Sequence, residues 1–354
     1  MFFCNILFFL LFISISPAGA QPFNVFVSIA PQKYFVDRIG GGLVNVSVMV
    51  PPGASPHMYE PRPAQMRALA EAEIYFAIGV EFENAILPKI SSMHPNLRIV
   101  HTDRNIEKIP MIPHHHHDHE HESEKAHGHA HSHDHKQDHG HKHDNDHGHK
   151  RGHDHKHDNE NKHGHGHDQD NGHKQGHGHT HAYGDPHHVD AHNGPDTHIW
   201  LSPDLVRIQA GVILEALSAL DSAHASVYEA NFNSFMKDLD DLDADIRSTL
   251  SEKEGAAFMV FHPAWGYFAR HYGLEQIPVE VEGKDPRAQD LQNLIQRAKA
   301  EQIRVVFVSP QFSARSAETI ATAIDGEIIA IDPLAEDWMA NMRLVAEKFR
   351  KAML

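Results

Sequence analysis

The chain has 354 residues, a formal net charge of −17 with neutral histidine, 36 histidines and one cysteine. Twenty-nine of those histidines lie between positions 114 and 192, a 79-residue tract with almost no side chains that could build a core. Outside this tract and a 20-residue leader, 255 residues remain, enough for one large or two modest domains. The acidic balance argues against nucleic-acid binding, and the single Cys4 excludes a disulfide scaffold.

Residues 1–20 have the features of a secretory signal peptide. An apolar run extends from Phe2 to Ile15, and Ala18-Gly19-Ala20 forms a small-x-small cleavage site. An uncleaved membrane anchor is the alternative, but about 15 apolar residues are short of the roughly 20 that span a bilayer. We therefore expect a periplasmic protein whose mature form contains no cysteine, so that histidines and carboxylates must supply any metal ligands.

From Phe23 onwards, short β-rich runs alternate with helical patterns. The first half predicts strands at 23–30, 44–50, 74–78 and 97–101, with helices at 34–39, 62–73 and 83–91. The second half predicts strands at 257–262, 276–281, 305–309 and 327–332, with helices at 263–272, 286–301, 314–324 and 336–353. This alternation indicates an α/β protein with parallel sheets and right-handed crossovers.

Two helices are predicted between these halves. The first begins at Ser202-Pro203-Asp204, where Ser is an N-cap and Pro occupies the first turn, and extends to about residue 220. The second covers 225–252 and carries apolar residues at helical spacing. We interpret it as a linking helix between an N-terminal lobe at 21–224 and a C-terminal lobe at 253–354; a surface helix on a single domain is the alternative.

The tract at 114–192 is dominated by His-x-His steps such as His127-Gly128-His129. Its low hydrophobicity predicts an insertion that is disordered without ligand, because it cannot offset its ordering entropy. Imidazole binds Zn²⁺, Cu²⁺ and Ni²⁺, and flexible, redundant ligands favour many weak sites over one tight site. A solubilising insert or a pH buffer is the alternative interpretation.

Three of the seven remaining histidines occupy distinctive positions. His57 follows a predicted strand in a proline-rich loop, His198 precedes a capped helix, and His262 ends a strand where a helix starts. Asp332 ends another strand, before Pro333. Because ligand sites in open α/β sheets lie at the carboxyl ends of strands, His57 from the first lobe and His262 with Asp332 from the second are predicted to converge in a cleft between the lobes. The other histidines are interpreted as surface or capping residues, and Trp200, Trp265 and Tyr267 as packing in the cleft wall.

Four ordered motifs carry a resemblance to a known family. They are Pro51-Pro52-Gly53 with His57-Met58-Tyr59-Glu60-Pro61, Thr197-His198-Ile199-Trp200-Leu201-Ser202-Pro203, Phe261-His262-Pro263-Ala264-Trp265-Gly266-Tyr267-Phe268 and Asp332-Pro333-Leu334. Together with the His-rich insertion, the set resembles the metal-binding subunit of bacterial zinc-uptake ABC transporters, the ZnuA type of the cluster A-I solute-binding proteins. The resemblance covers nearly all of residues 23–353 and implies two α/β lobes joined by a rigid helix.

The resemblance also implies the ligands. It assigns zinc to His57, His198 and His262, and three imidazoles suit Zn²⁺ better than Mn²⁺, whose family members carry a carboxylate at the third position. Some members use an acidic residue before the first histidine, but Pro56 stands there in this chain. The fourth ligand is therefore Asp332 or water, and a hydrogen-bond acceptor that orients a ligand histidine is the alternative role of Asp332. Tyr59 and Glu60 are candidates for supporting hydrogen bonds.

The expected function is non-enzymatic. A monomer outside the inner membrane would hold one Zn²⁺ tightly between the lobes and deliver it to an ABC permease, with further weak ions on the His-rich loop as an accessory for capture or sensing. A zinc hydrolase is one alternative, because three histidines and a water also form catalytic sites, although no His-Glu-x-x-His motif occurs. A metal store or adhesin, in which the tract is the working part, is another.

Overall fold

The computed structural model describes residues 21–111, 194–280 and 284–353. The predicted leader and the His-rich tract lie outside these residues. Eight strands are present in the described part of the chain: β1 Phe23–Val27, β2 Val44–Val48, β3 Ile74–Ala77, β4 Arg98–His101, β5 Ala257–Val260, β6 Glu275–Pro278, β7 Val305–Val308 and β8 Glu327–Ala330. The helices are α1 Ala30–Gly40, α2 Pro63–Leu69, α3 Glu81–Met93, α4 Pro203–Leu220, α5 Ala225–Leu250, α6 Gly266–Tyr272, α7 Ala288–Ala300, α8 Arg315–Ala323 and α9 Trp338–Ala352.

The strands form two separate parallel sheets of four. In the first, the order is β2-β1-β3-β4, and Val25 of the inner strand β1 pairs with Val46 on one side and Ile74 on the other. In the second, the order is β6-β5-β7-β8, and Met259 of β5 pairs with Ile277 and Val306. Both sheets contain β-branched and aromatic runs buried between helices, as parallel sheets require. The predicted α/β class with two parallel sheets is confirmed.

The predicted strands are all present, but most end earlier than the sequence pattern indicated. The strand predicted at 23–30 ends at Val27, because α1 already begins at Ala30 with Pro31 in its first turn. The strand predicted at 257–262 ends at Val260, and the helix predicted from 263 begins only at Gly266. Loops therefore begin at the carboxyl ends of the strands, and three candidate ligands lie in such loops: His57 after β2, His262 after β5 and Asp332 after β8.

Helix α5 joins the two sheets. It spans 26 residues, and its buried face includes Phe235, whose ring stacks on Phe35 of α1 with centroids 6.1 Å apart. Its charged face contacts both sides of the molecule: Asp238 pairs with Arg38 of α1, and Asp245 pairs with Arg343 of α9 at 2.8 Å. The linking helix predicted at 225–252 therefore corresponds to α5. In the described part of the chain, no helix combines the length and apolarity needed to cross a membrane.

Candidate metal centre

Three histidine side chains from distant parts of the chain meet beyond the strand ends. His57 lies in the loop between β2 and α2, His262 follows β5, and His198 immediately precedes the short 3₁₀ turn that leads into α4. The loop of His57 and the loop of His262 leave the carboxyl ends of strands in different sheets, which is where open α/β sheets bind ligands. The structure therefore brings these three predicted residues together.

The ring nitrogens are arranged for a single ion. The Nε2 atom of His262 lies 3.0 Å from Nε2 of His57 and 3.2 Å from Nε2 of His198. One ligand atom from each of the three rings lies within 4.8 Å of the others. Two nitrogens bound to one tetrahedral zinc at about 2.0–2.1 Å would be about 3.3 Å apart, so the observed spacing is close to that of a zinc site.

Each of the three histidines has a carboxylate at its other ring nitrogen. His57 Nδ1 lies 2.9 Å from Glu81 Oε2, His198 Nδ1 lies 2.7 Å from Asp196 Oδ1, and His262 Nδ1 lies 2.8 Å from Glu280 Oε1. Such carboxylate partners fix the ring orientation and increase the basicity of ligand histidines. All three histidines therefore have the outer partners that are typical of zinc ligands.

These contacts favour one tautomer of each ring. An ionised carboxylate only accepts hydrogen bonds, so each one favours a proton on the facing Nδ1 and a lone pair on Nε2. Three lone pairs then converge on one point, where they repel each other unless a cation or a proton lies between them. Three carboxyl groups surround that point, and the negative charge on ionised carboxylates favours a divalent cation there.

The pair of His57 and Glu81 is strongly polarised. Burial lowers the pKa of His57, but the hydrogen bond and charge of Glu81, with the charges of Glu280 and Asp196, together outweigh this effect and hold the pKa above its ordinary value. Burial raises the pKa of Glu81, but the contact with His57 outweighs it and lowers the pKa to about 2. Glu81 is therefore ionised throughout the physiological range, and a proton on His57 competes with a metal ion.

The loop that carries Glu81 is held by a buried carboxylate two residues further on. Glu83 is 1% exposed and accepts hydrogen bonds from the backbone of Ile78 at 2.9 Å and Gly79 at 2.7 Å. Glu83 also accepts a hydrogen bond from the hydroxyl of Ser28, and burial raises the pKa of Glu83. Because these bonds close the turn between β3 and α3, they fix the position from which Glu81 reaches His57.

Aromatic rings pack against two of the three histidines. The ring of Phe312, in the loop after β7, stacks on His262 with centroids 4.4 Å apart. Trp200 lies 5.1 Å from His198 and donates its indole N–H to the carbonyl of Pro333 at 2.7 Å. These contacts restrict the motion of the imidazoles, and they agree with the interpretation of Trp200 as packing.

Asp332, the fourth residue predicted for the site, is not part of the group formed by the three histidines. Its Oδ1 accepts hydrogen bonds from Gln311 Nε2 at 2.8 Å and from the backbone N–H of Leu334 at 2.9 Å. The structure thus gives Asp332 two donors on one oxygen, at the carboxyl end of β8 beside the loop that carries Phe312.

The other predicted roles differ in outcome. The hydroxyl of Tyr59 donates to Gln65 at 2.6 Å, so it supports the start of α2. His224 occupies the N-cap position of α5, but its ring contacts the carboxylate of Asp221 at 2.7 Å and does not cap the helix. His271 is not a surface residue, because its ring contacts Asp243 at 2.7 Å and Asp204 at 3.2 Å and is largely buried.

The sequence analysis missed the three outer carboxylates, although each had a signal. Glu81 and Glu280 follow β3 and β6, strands whose ends were not searched for ligands. Asp196 precedes His198 by two residues, a spacing that lets a side chain bond its neighbour's ring and backbone. A search of every strand end for carboxylates would have found two of the three.

Comparison with known proteins agrees with this geometry. Residues 25–352 match the model of the family described as zinc-uptake complex component A, periplasmic. The high-affinity zinc uptake system protein ZnuA of Yersinia pestis is 25% identical over 322 residues, covering 89% of this chain and 86% of that protein. A putative metal-binding protein of Chlamydia muridarum is 24% identical over 327 residues, covering 92% and 90%.

Solved structures are similar along nearly the whole chain. A crystal structure of ZnuA is 33% identical and has a TM-score of 0.69, covering 94% of this chain and 99% of that one. A 138–173 deletion mutant of ZnuA with zinc bound is 33% identical, also with a TM-score of 0.69, and covers 94% and 98%. With the family match extending from β1 to α9, the chain belongs to the family of periplasmic zinc-uptake components, the non-enzymatic metal-binding proteins of ABC transporters.

Proposed function

We propose that this protein captures one Zn²⁺ with high affinity at His57, His198 and His262 and delivers it to an ABC permease in the inner membrane. The convergence of the three Nε2 atoms, with a carboxylate behind every ring, is the observation that carries this proposal. Asp332 or a water molecule occupies the fourth position. Three imidazoles favour borderline ions such as Zn²⁺ over Mn²⁺, which prefers oxygen ligands.

The same arrangement supports binding and release. The ligands come from loops of both sheets, so the ion is held only while His57 and His198 face His262. His57 retains a raised pKa, so that protons and zinc compete for its ring. Delivery to a permease then requires that one histidine be withdrawn, which an opening of the cleft between the sheets would accomplish.

The His-rich tract at 114–192 has an accessory role in this proposal. Its many imidazoles bind weak, exchangeable ions and raise the local zinc concentration beside the tight site, or sense zinc. The mature protein is a monomer in the periplasm, exported by the leader at 1–20. Deletion of 114–192 should slow growth and zinc uptake only when zinc is limiting; unchanged growth at limiting zinc would leave the tract without this role.

A zinc titration against a competing chelator tests the tight site. The full chain and a variant that lacks 114–192 are stripped of metal and titrated, each with and without His262→Ala. We expect one tight ion in both chains, lost with His262→Ala, and additional weak ions only in the full chain. Absence of a tight ion in the shortened chain would assign metal binding to the tract, and the capture proposal would give way to storage.

A further inference from the structure

The hydroxyl of Tyr267 bonds two backbone groups that are distant in sequence. It accepts a hydrogen bond from the N–H of Ile109 at 3.0 Å and donates one to the carbonyl of Asp196 at 2.9 Å. The side chain is buried, with 5% exposed. The sequence analysis predicted packing in the cleft wall for Tyr267, and the structure shows in addition that its hydroxyl both donates and accepts a hydrogen bond.

The two segments that Tyr267 touches also bond each other. Asp196 N–H donates to the carbonyl of Ile109 at 2.7 Å, and Met111 N–H donates to the carbonyl of Gly194 at 3.3 Å. Pro110 and Pro195 form an antiparallel bridge between these bonds. We name residues 107–111 and 194–198 the paired segment. Tyr267 is therefore bonded to both halves of the paired segment, at the facing residues Ile109 and Asp196.

The same helix also approaches the side chain of Asp196 closely at its first residue. A Cβ atom added to Gly266, the first residue of α6, would lie 2.9 Å from Asp196 Oδ2, so the absence of a side chain lets the helix approach this carboxylate. The other oxygen, Oδ1, accepts from the backbone N–H of His198 at 2.9 Å and from its Nδ1 at 2.7 Å. The first two residues of α6 thus enclose the aspartate that orients His198.

We propose that Tyr267 is a positioning residue for zinc, which fixes Asp196 and through it the ring of His198. This inference rests on the proposed function of the three histidines. Tyr267 lies five positions after His262. One short stretch of the chain that forms the second sheet therefore supplies the ligand His262 and orients the ligand His198. His198 therefore takes its binding geometry only while α6 is packed against the paired segment, which couples zinc affinity to contact between the two sheets' domains.

Tyr267→Phe tests the proposal in the full chain, with Tyr272→Phe as the matched control. Tyr272 lies on the same helix, is buried, and donates its hydroxyl to Asp243 at 3.1 Å, away from the three ligand histidines. Both substitutions remove one buried hydroxyl and lower the unfolding temperature of the metal-free protein. We expect only Tyr267→Phe to weaken the tight zinc site, by about 10-fold, the low end of losses from outer partners of metal ligands.

A double-mutant cycle separates positioning from a general loss of stability. In an Asp196→Ala background, which removes the side chain that bonds His198, Tyr267→Phe should cause no further loss of zinc affinity, because its effect passes through that side chain. Additive losses, or a Tyr267→Phe affinity equal to that of Tyr272→Phe, would overturn the inference. Wild-type protein without a tight zinc ion would instead overturn the proposed function itself.

Gly266→Ala provides a second variant should Tyr267→Phe fold poorly. It retains the hydroxyl but places a methyl group against Asp196 Oδ2. We expect weaker zinc binding and, with Co²⁺ in place of Zn²⁺, a changed visible absorption spectrum, because the ring of His198 is displaced. An unchanged cobalt spectrum and unchanged zinc affinity in Gly266→Ala would show that α6 does not position Asp196.

Discussion

His57 and His262 bring their Nε2 atoms within 3.0 Å of each other, although 205 positions separate them in the chain. Each ring has a carboxylate at Nδ1, Glu81 for His57 and Glu280 for His262. A neutral imidazole that donates at Nδ1 has only a lone pair at Nε2, so two such nitrogens in close approach repel each other. A shared cation removes this repulsion, and His198 adds a third nitrogen to the same point.

The carboxylate behind His198 should control zinc affinity. Asp196→Asn retains the shape of the side chain but removes the charge that favours a proton on His198 Nδ1. We expect the tight zinc site to weaken by about 10- to 100-fold, as for other outer partners of metal ligands. Competition with a chelator measures this change.

Asp221→Asn is the matched control for that substitution. Asp221 makes the same contact with His224, also at 2.7 Å, near the start of α5. Its replacement should leave zinc affinity unchanged. Equal zinc affinities for the Asp196→Asn and Asp221→Asn proteins would remove the outer carboxylate from the account of binding.

The turn that presents Glu81 depends on Gly79. This residue has φ of 86°, and an added Cβ would lie 2.3 Å from Lys108 Nζ and 2.4 Å from Asp103 Oδ2. Gly79→Ala should destabilise the metal-free protein by about 1–2 kcal/mol, mainly because an L-residue is strained at this φ. It should also weaken zinc binding, since the turn positions Glu81. Thermal unfolding and the chelator titration measure the two effects.

Gly211→Ala adds the same methyl group as Gly79→Ala but should increase the stability of the protein. Gly211 lies inside α4, and nothing lies within 4 Å of an added Cβ. Alanine should therefore stabilise the helix by about 0.5–1 kcal/mol and leave zinc affinity unchanged. If both alanine variants unfold at the same temperature, the conformation of Gly79 does not constrain the turn.

The pair of Glu81 and His57 should make the metal-free protein most stable in mildly acidic solution. The pKa of Glu81 is lowered from 4.5 to about 2, so its stabilising contribution is present above pH 4.5 and is lost as the pH falls towards 2. The pKa of His57 is raised above 6.5, so its contribution is present below pH 6.5 and is lost as the pH rises through its folded value. The two together contribute most between pH 4.5 and 6.5.

Glu81→Gln should flatten this maximum. Urea unfolding of chelator-treated protein across pH 4–9 measures the free energy of unfolding of wild type and variant. Because the His-rich tract titrates in both proteins, its contribution cancels in the difference between their free energies of unfolding. Glu71→Gln, at an exposed position, should retain the wild-type profile. A Glu81→Gln profile that parallels the wild type would contradict the pairing of His57 with Glu81.

The sequence predicted the fold well because parallel α/β architecture has a strong local signal. Alternating β-branched runs and helical patterns gave all eight strands and both sheets. The strand ends were less well predicted, since apolar residues such as Phe261 continue past the last ladder bond. The convergence of His57 and His262 followed from the rule that ligands lie at strand ends, and His198 was added by the resemblance. The dual bonding of Tyr267 could not be predicted, because it depends on Ile109 and Asp196 meeting although they are far apart in the chain.

Asp332 should contribute less to zinc affinity than any of the three histidines. Its Oδ1 accepts hydrogen bonds from Gln311 and from the backbone of Leu334, which leaves only the other carboxylate oxygen for a metal ion. Asp332 also lies outside the group formed by the three histidines. Asp332→Ala should therefore weaken zinc binding by about 10-fold, within the range for partners beyond the ligands, and by less than His262→Ala. Chelator competition on both variants gives the comparison.

Gln311→Ala distinguishes the ways in which Asp332 could act. If Gln311 orients the carboxylate towards the ion, its removal should weaken zinc binding in the wild type but have no further effect on Asp332→Ala, because both changes act on one group. Cobalt absorption reports the coordination number in each variant. A loss in Asp332→Ala as large as that in His262→Ala would make the carboxylate an equal ligand, and an unchanged affinity would assign the fourth position to water.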